Sequence, residues 1–81
     1  MRRVAASRIY FNTNEFRTNY VVELIDHFVV NYYPLQGEIP MTEWLGGTII
    51  IRNRQAYHIR QILSPDELTT YSNIPENMKP L

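Results

Sequence analysis

The chain has no cysteine, only three glycines and no excess of charge of either sign. Without cysteine it can form neither a disulfide nor a cysteine-ligated zinc site, the two usual supports of small domains. Eight basic residues balance eight acidic ones, so no long-range field attracts nucleic acid or an anionic membrane. No apolar run reaches the roughly 18 residues of a membrane span. We therefore expect a cytoplasmic domain with neither nucleic acid nor membrane as a partner.

The length and the apolar content indicate one packed domain. The chain has 81 residues, and half of it would hold too small an interior to offset the entropy of ordering its backbone. Apolar residues make up 44% of the chain, including six tyrosines and one tryptophan, which is typical of a folded protein rather than a disordered one. We expect a single domain over residues 1–81, with residues 74–81 extended or frayed.

Alternating and β-branched segments predict five strands. Asp26 and His27 divide a long apolar stretch into two strands joined by a tight turn. A helix over 20–33 is the alternative, because one helical stripe also fits Val21, Leu24, Ile25 and Phe28. A second hairpin is expected around Asn53. The five strands are expected at residues 4–11, 20–25, 28–33, 48–52 and 56–62.

The segments between and after the strands carry turn and helix signals. Asn12 to Glu15 is expected to form a loop, and residues 34–47 the longest connection. Within that connection Thr42 is a candidate cap for one helical turn that places Trp44 on the core, with Gly46 or Gly47 as its left-handed end.

The C-terminal part predicts a short helix over 65–72, because Ser64 precedes a proline and two acids. The fold class is then mainly β: a five-stranded, mostly antiparallel sheet or small open barrel, built from two hairpins, with a short C-terminal helix.

Titratable side chains give little sign of catalysis. His27 and His58 have no zinc-ligand spacing, so we expect no metal and no cofactor. Glu38 and Glu43 are candidate ligand-loop residues, and nothing in the sequence pairs them as catalytic carboxylates. Arg60 lies with Arg52, Arg54 and Tyr57 around the second hairpin, an arrangement that we interpret as a solvated edge rather than a nucleic-acid site. No catalytic residue is predicted.

The aromatic residues are the strongest functional signal. A sheet this small has few elements to cover its second face, and exposed aromatic side chains carry much of the energy at protein interfaces. The leading hypothesis is a non-enzymatic interaction or structural module, possible self-association included. The alternative is a small-ligand domain with its pocket under residues 34–47. The candidate interaction surface comprises Tyr20, Tyr32, Tyr33, Trp44 and Tyr57.

Two sequence patterns resemble known families. The segment from Pro34 to Glu38 (PLQGE), followed by Thr42 to Thr48 (TEWLGGT), resembles a family of short bacterial β-rich proteins of uncharacterised function. Up to Ile51, the order of strand, hairpin, acidic loop, Gly-Gly and apolar strand is similar to the N-terminal β-segment of amidohydrolase-type metal-dependent hydrolases. The metal-binding His-x-His motif of those enzymes has no counterpart here. This second resemblance therefore implies a β-module related to their composite domain, without the catalytic barrel.

Overall fold

In the computed structural model, residues 1–12, 15–37, 39–69 and 78–81 are described. They form a mainly β domain with one mixed sheet and one short helix. No helix within these ranges is long and apolar enough to cross a membrane. The strands are β1 (Arg2–Asn12), β2 (Glu15–Ile25), β3 (Phe28–Pro34), β4 (Thr42–Trp44), β5 (Thr48–Arg52), β6 (Gln55–Ile59) and β7 (Lys79–Pro80), and the helix is α1 (Pro65–Thr69).

Five strands form a ring in the order β1, β2, β3, β6, β5 and back to β1. Neighbours in the ring run antiparallel, except that β1 and β5 run parallel. Between β3 and β6 the pairing is limited to Phe28 with Gln55, so the ring is not a clear barrel. These are the five strands expected from the sequence, and the predicted fold class is confirmed. The short strands β4 and β7 are additional.

Two of the hairpins close with turns that the side chains permit. Asp26 and His27 have φ of 49° and 74°, and Asn53 and Arg54 have φ of 52° and 65°. Two successive positive φ values define the type I′ turn, whose twist matches that of paired strands. The hairpin over 20–33 is confirmed, and the helical alternative for this stretch is wrong. Its β-branched and aromatic residues pack on the sheet instead.

The core has two parts. The first packs side chains from four strands of the ring, and the second packs the C-terminal segment onto β1, β5 and β6. Four of the five ring strands, β1, β2, β5 and β6, therefore contribute buried side chains to the interior that a chain of this size needs for stability, and β3 adds the partly buried Val29. The buried members are Val4, Ala6, Ile9, Val22, Leu24, Ile49 and Ala56 in the first part, and Tyr10, Ile50, Ile59, Leu63, Leu68 and Met78 in the second.

The segment from β4 to β5 runs parallel to β1 along one edge. Arg3 lies opposite Thr42, and Arg8 lies opposite Thr48, so this segment contains one residue more than the stretch of β1 that it follows. The extra residue is accommodated at Gly46–Gly47, where both φ values are positive. The glycine pair is a bulge between two strands, and the left-handed conformation expected there is present.

The predicted helical turn over 42–45 is wrong. Thr42 to Trp44 pair with Arg3 to Ala5 of β1 as a parallel strand, and the amide of Leu45 donates to the carbonyl of Ala5 at 2.8 Å. Trp44 is 56% exposed rather than buried, and Leu45 packs against the first part of the core in its place. Pairing with the edge of β1 outweighs the local capping preference of Thr42.

The C-terminal segment returns to the sheet after α1. Ser64 and Glu67 exchange hydrogen bonds between side chain and amide, at 3.2 and 3.3 Å, and so form a capping box at the start of α1. Strand β6 ends at Ile59, three residues before the predicted end. Residues 70–72 of the predicted helix lie outside the described part of the chain, as do Thr13 and Asn14 of the expected loop. Residues 79–80, expected to be extended or frayed, form β7 beside β6.

Candidate functional site

Strand β4 has a free edge. It is the last strand in the sheet order, and within the described residues it pairs with β1 alone. Because the amide of Leu45 points towards β1, alternation along the strand directs the backbone groups of Thr42 and Trp44 away from it. Both residues thus present an N–H and a C=O to whatever lies beside β4.

Exposed apolar side chains stand at the two ends of this edge. Met41, directly before β4, is 86% exposed and has φ of 62°, a conformation that residues other than glycine seldom adopt. Trp44, the last residue of β4, is 56% exposed. The left-handed backbone of Met41 is strained, and the surrounding structure holds it in place beside the free edge. Backbone strain of this kind is frequent at binding sites.

Grooves flank the edge on more than one side. One, of about 390 Å³, is lined by Ala5, Thr42 and Trp44 and by described residues of the connection before β4, among them Leu35 and Pro40. A second, of about 590 Å³, begins on Trp44 and is lined by His58, Arg60 and Lys79 among others. A third, of about 410 Å³, runs past Met41 and Glu43. Ala5 pairs with Trp44 across the two strands, and its small side chain leaves the first groove open.

A polar network lies behind β4 on β1, β2 and β3. The Glu23 carboxylate accepts hydrogen bonds from Arg3 Nε at 2.7 Å, from the Tyr33 hydroxyl at 3.1 Å and from Asn31 Nδ2 at 3.3 Å. Glu23 is buried, so each of its partners offsets part of the cost of removing a carboxylate from water. Arg3 lies on β1 opposite Thr42 of β4. The network therefore holds in place the part of β1 that pairs with β4.

The network shifts the titration of its members. The hydrogen bond from Arg3 lowers the pKa of Glu23 below its usual 4.5, and Tyr33 and Asn31 lower it further. Burial raises the pKa of Tyr33, and the neighbouring Glu23 carboxylate raises it as well. At the exposed middle residue of β4, a hydrogen bond from Arg2 lowers the pKa of Glu43.

These shifts predict a loss of stability in acid. Because the pKa of Glu23 is lower in the folded than in the unfolded chain, its contribution is present above pH 4.5 and disappears as the pH falls through the folded value. We expect Glu23→Gln to melt below the wild-type protein at pH 7, with a difference that shrinks as the pH falls below 4.5 and through the lowered pKa of folded Glu23. Calorimetry across this range measures it. In the control Glu43→Gln, which breaks an exposed ion pair, the change should be smaller. A pH-independent difference for Glu23→Gln would contradict the assignment.

The five predicted surface aromatics lie in three places. Tyr20 packs against the first part of the core, and Tyr32, 51% exposed, stacks on Phe11 at a centroid distance of 4.6 Å. Tyr57 packs against the second part of the core. Tyr33 and Trp44 belong to one cross-strand row through β3, β2, β1 and β4. Only Trp44 lines the grooves described above.

The titratable candidates are dispersed. Glu38 lies outside the described residues, and Glu43 pairs with Arg2 at 3.1 Å. His27 donates from Nδ1 to the carbonyl of Leu81, and His58 donates from Nε2 to the carbonyl of Gly46. No three metal-ligating side chains converge anywhere in the described ranges.

The edge of β3 is a less suitable docking edge than that of β4. The amide of Leu35 donates to Asn19 of β2, so Tyr32 and Pro34 are the residues that face away from β2. Proline has no amide to offer, and the amide of Tyr32 already donates to Asn31 Oδ1 at 3.0 Å. Such devices protect an edge from added strands.

Sequence reasoning missed two parts of the site. Met41 carried no motif, because its position depends on a left-handed backbone. Arg60 was interpreted as part of a solvated edge, because its place in one groove with Lys79 depends on β7 pairing with β6. The Pro40–Met41 step was the one local signal, as a break in regular pairing before an exposed strand.

The chain matches no protein-family model, and comparison with curated proteins and with solved structures finds no match either.

Proposed function

We propose that this protein is a non-enzymatic interaction module that binds an extended segment of a partner protein along the free edge of β4. The observation that carries the proposal is the juxtaposition, at one strand, of unpaired backbone groups on Thr42 and Trp44 with an exposed tryptophan between two grooves. Strand addition of this kind combines main-chain hydrogen bonds with pockets for alternate side chains. The absence of cysteine supports placing the module in the cytoplasm.

The energetic roles follow from the geometry. An added strand pairs with the outward N–H and C=O groups of Thr42 and Trp44, and these main-chain hydrogen bonds contribute affinity, while the side chains in the grooves set the register. Trp44 supplies the apolar contact, since a large aromatic side chain at an interface buries much area with little loss of rotamer freedom. Met41 extends the apolar surface beyond the start of the strand.

A different protein is a better partner than a second copy at this edge. Two copies could pair their β4 strands antiparallel along the full length of the strand. Thr42 of each copy would then face Trp44 of the other, and the two Glu43 residues would face one another. Like charges directly opposite each other destabilise a strand pair. We therefore expect a monomer at micromolar concentration, and sedimentation velocity tests this. A dimer that Glu43→Gln strengthens would instead show that the protein self-associates through β4.

Trp44→Ala should remove most of the peptide affinity. Panning random linear peptides against the wild-type protein should enrich peptides that bind it. The Trp44→Ala variant should bind these peptides roughly 30-fold more weakly or worse, because loss of a central tryptophan commonly costs about 2 kcal/mol or more. Tyr32→Ala is the matched control, since Tyr32 has similar exposure and lies away from the grooves. Amide shifts at Thr42 and Trp44 locate the peptide. Enriched peptides that bind Trp44→Ala as tightly would contradict the proposal.

A second candidate function is small-ligand binding in the groove that Ala5, Leu35 and Trp44 line. The groove volume of about 390 Å³ falls within the range of small-molecule sites, and Ala5 and Trp44 contribute apolar side chains to its lining. Fragment screening by NMR separates the two functions. Fragments that shift Ala5 and Leu35 without displacing a β4-bound peptide would favour a ligand domain.

A further inference from the structure

The groove between Trp44 and β7 holds two cations and, among the residues that the structure describes, no anion to offset them. Arg60 and Lys79 line it, and none of its described lining residues is acidic. Elsewhere near β4 the cations are neutralised, because Arg2 pairs with Glu43 and Arg3 pairs with Glu23. Within the described part of the chain, neither Arg60 nor Lys79 forms an ion pair. In a chain of zero net charge, this is a local concentration of positive charge beside the free edge.

The fold holds the two cations next to Trp44. Lys79 of β7 is the partner of His58 of β6, and Arg60 follows His58 by two residues, which places all three along one wall. His58 donates from Nε2 to the carbonyl of Gly46 at 3.0 Å, and this bond ties β6 to the bulge that follows Trp44. The distance from the cations to β4 therefore depends on a fixed strand contact rather than on a mobile loop.

We propose that the extended segment bound at β4 is acidic, with a carboxylate side chain in the groove formed by Trp44, Arg60 and Lys79. This inference rests on the proposed function. Trp44 is shared by the edge and by this groove, so a strand paired with the backbone of Trp44 directs an alternate side chain towards the two cations. Arginine and lysine at a partly exposed rim attract a carboxylate and fix its register, and they do so more strongly at low salt.

Trp44 is the only tryptophan of the chain, so its fluorescence reports on the site directly. The probes are three end-blocked octapeptides in which valine alternates with glutamate, glutamine or lysine. We expect the glutamate peptide to shift the emission with saturation and to bind roughly tenfold more tightly than the glutamine peptide, as two rim ion pairs allow. The lysine peptide should bind weakest, and added salt should reduce the glutamate preference.

Substitutions of the two cations test whether the preference for the glutamate peptide arises in this groove. The double variant Arg60→Gln/Lys79→Gln should bind the glutamate and glutamine peptides alike, while Arg17→Gln, an exposed arginine on β2 outside the grooves, should keep the preference. Fluorescein anisotropy of labelled peptides provides a second readout that does not need the tryptophan, so Trp44→Ala can be measured on the same scale.

The possible failures are distinguishable. Equal affinity for the glutamate and glutamine peptides, with both lost in Trp44→Ala, would overturn the acidic preference and leave the interaction module in place. Peptides that bind Trp44→Ala as tightly as wild type, or bind neither, would overturn the module and this inference together. A deoxythymidine decanucleotide that binds more tightly than the glutamate peptide, and loses affinity in the double variant, would reassign the groove to nucleic acid.

Discussion

Replacing Gly47 with alanine should destabilise the protein by roughly 2 to 5 kcal/mol. Gly47 has φ of 61°, a left-handed conformation that costs alanine about 1 to 2 kcal/mol. An alanine Cβ would also meet the Arg60 carbonyl, with its oxygen at 2.6 Å and its carbon at 2.7 Å, besides the carbonyl oxygen of Ile59. Backbone atoms of β6 cannot move aside without breaking the pairing with β5, and overpacking of this kind adds about 1 to 3 kcal/mol.

Gly37→Ala is the matched control for this substitution. Gly37 has nearly the same φ, 66°, but no atom of the described residues, its chain neighbours apart, lies within 4 Å of an added Cβ. We expect its cost to be the backbone term alone, about 1 to 2 kcal/mol. Urea denaturation followed by circular dichroism compares the two variants. A protein of this length has about 4 to 12 kcal/mol of stability, so Gly47→Ala should lower the urea midpoint by a large fraction. Equal midpoints for the two variants would contradict the close approach of β6.

Thr48→Val should cost about 2 to 4 kcal/mol, although valine has the same shape as threonine. The hydroxyl of Thr48 is fully buried; it donates to the carbonyl of Gln61 at 2.8 Å and accepts from the amide of Leu63 at 2.9 Å. Valine leaves both backbone groups without this partner, and a buried unsatisfied group costs about 1 to 3 kcal/mol. The two lost hydrogen bonds are ones that hold the segment between β6 and α1 against β5.

Thr48→Ser is the control, because serine keeps the hydroxyl and loses only a methyl group. We expect it to cost about 1 kcal/mol, less than valine despite the smaller side chain. Hydrogen exchange of the Leu63 amide provides a local readout: protection should fall in Thr48→Val and persist in Thr48→Ser. A valine variant as stable as wild type would show that water or a rearranged backbone satisfies both groups.

The two substitutions test the same junction, and that junction also shapes the candidate site. The carbonyl of Arg60 leaves no room for a Cβ at Gly47, and the hydroxyl of Thr48 donates to the carbonyl of Gln61. Arg60 and Gln61 both line the groove beside Trp44. The bulge, the start of β5 and the end of β6 thus position the cations relative to β4. Partly folded variants are expected to lose peptide binding along with stability, which is why the binding experiments use surface substitutions.

Local chemistry decided much of the strand pattern. Asp26–His27 and Asn53–Arg54 adopt positive φ in tight turns, and the β-branched segments beside them form the paired strands. The start of α1 also follows from its neighbours, since Ser64 and Glu67 need only each other to form a capping box. These features depend on residues close in sequence, so a pattern in the sequence was enough to find them.

The candidate site depended on contacts that no local pattern encodes. Thr42 to Trp44 have the residues of a capped turn, and they become a strand because an edge of β1 lies beside them. Trp44 is exposed because Leu45 occupies the core position next to it, and Arg60 and Lys79 line one groove because β7 pairs with β6. The sequence by itself determined the turns and the ring of five strands, whose causes are local conformation and side-chain period. Only the tertiary structure decided which edge stays free and which charges surround it, because those depend on pairing between residues far apart in the chain.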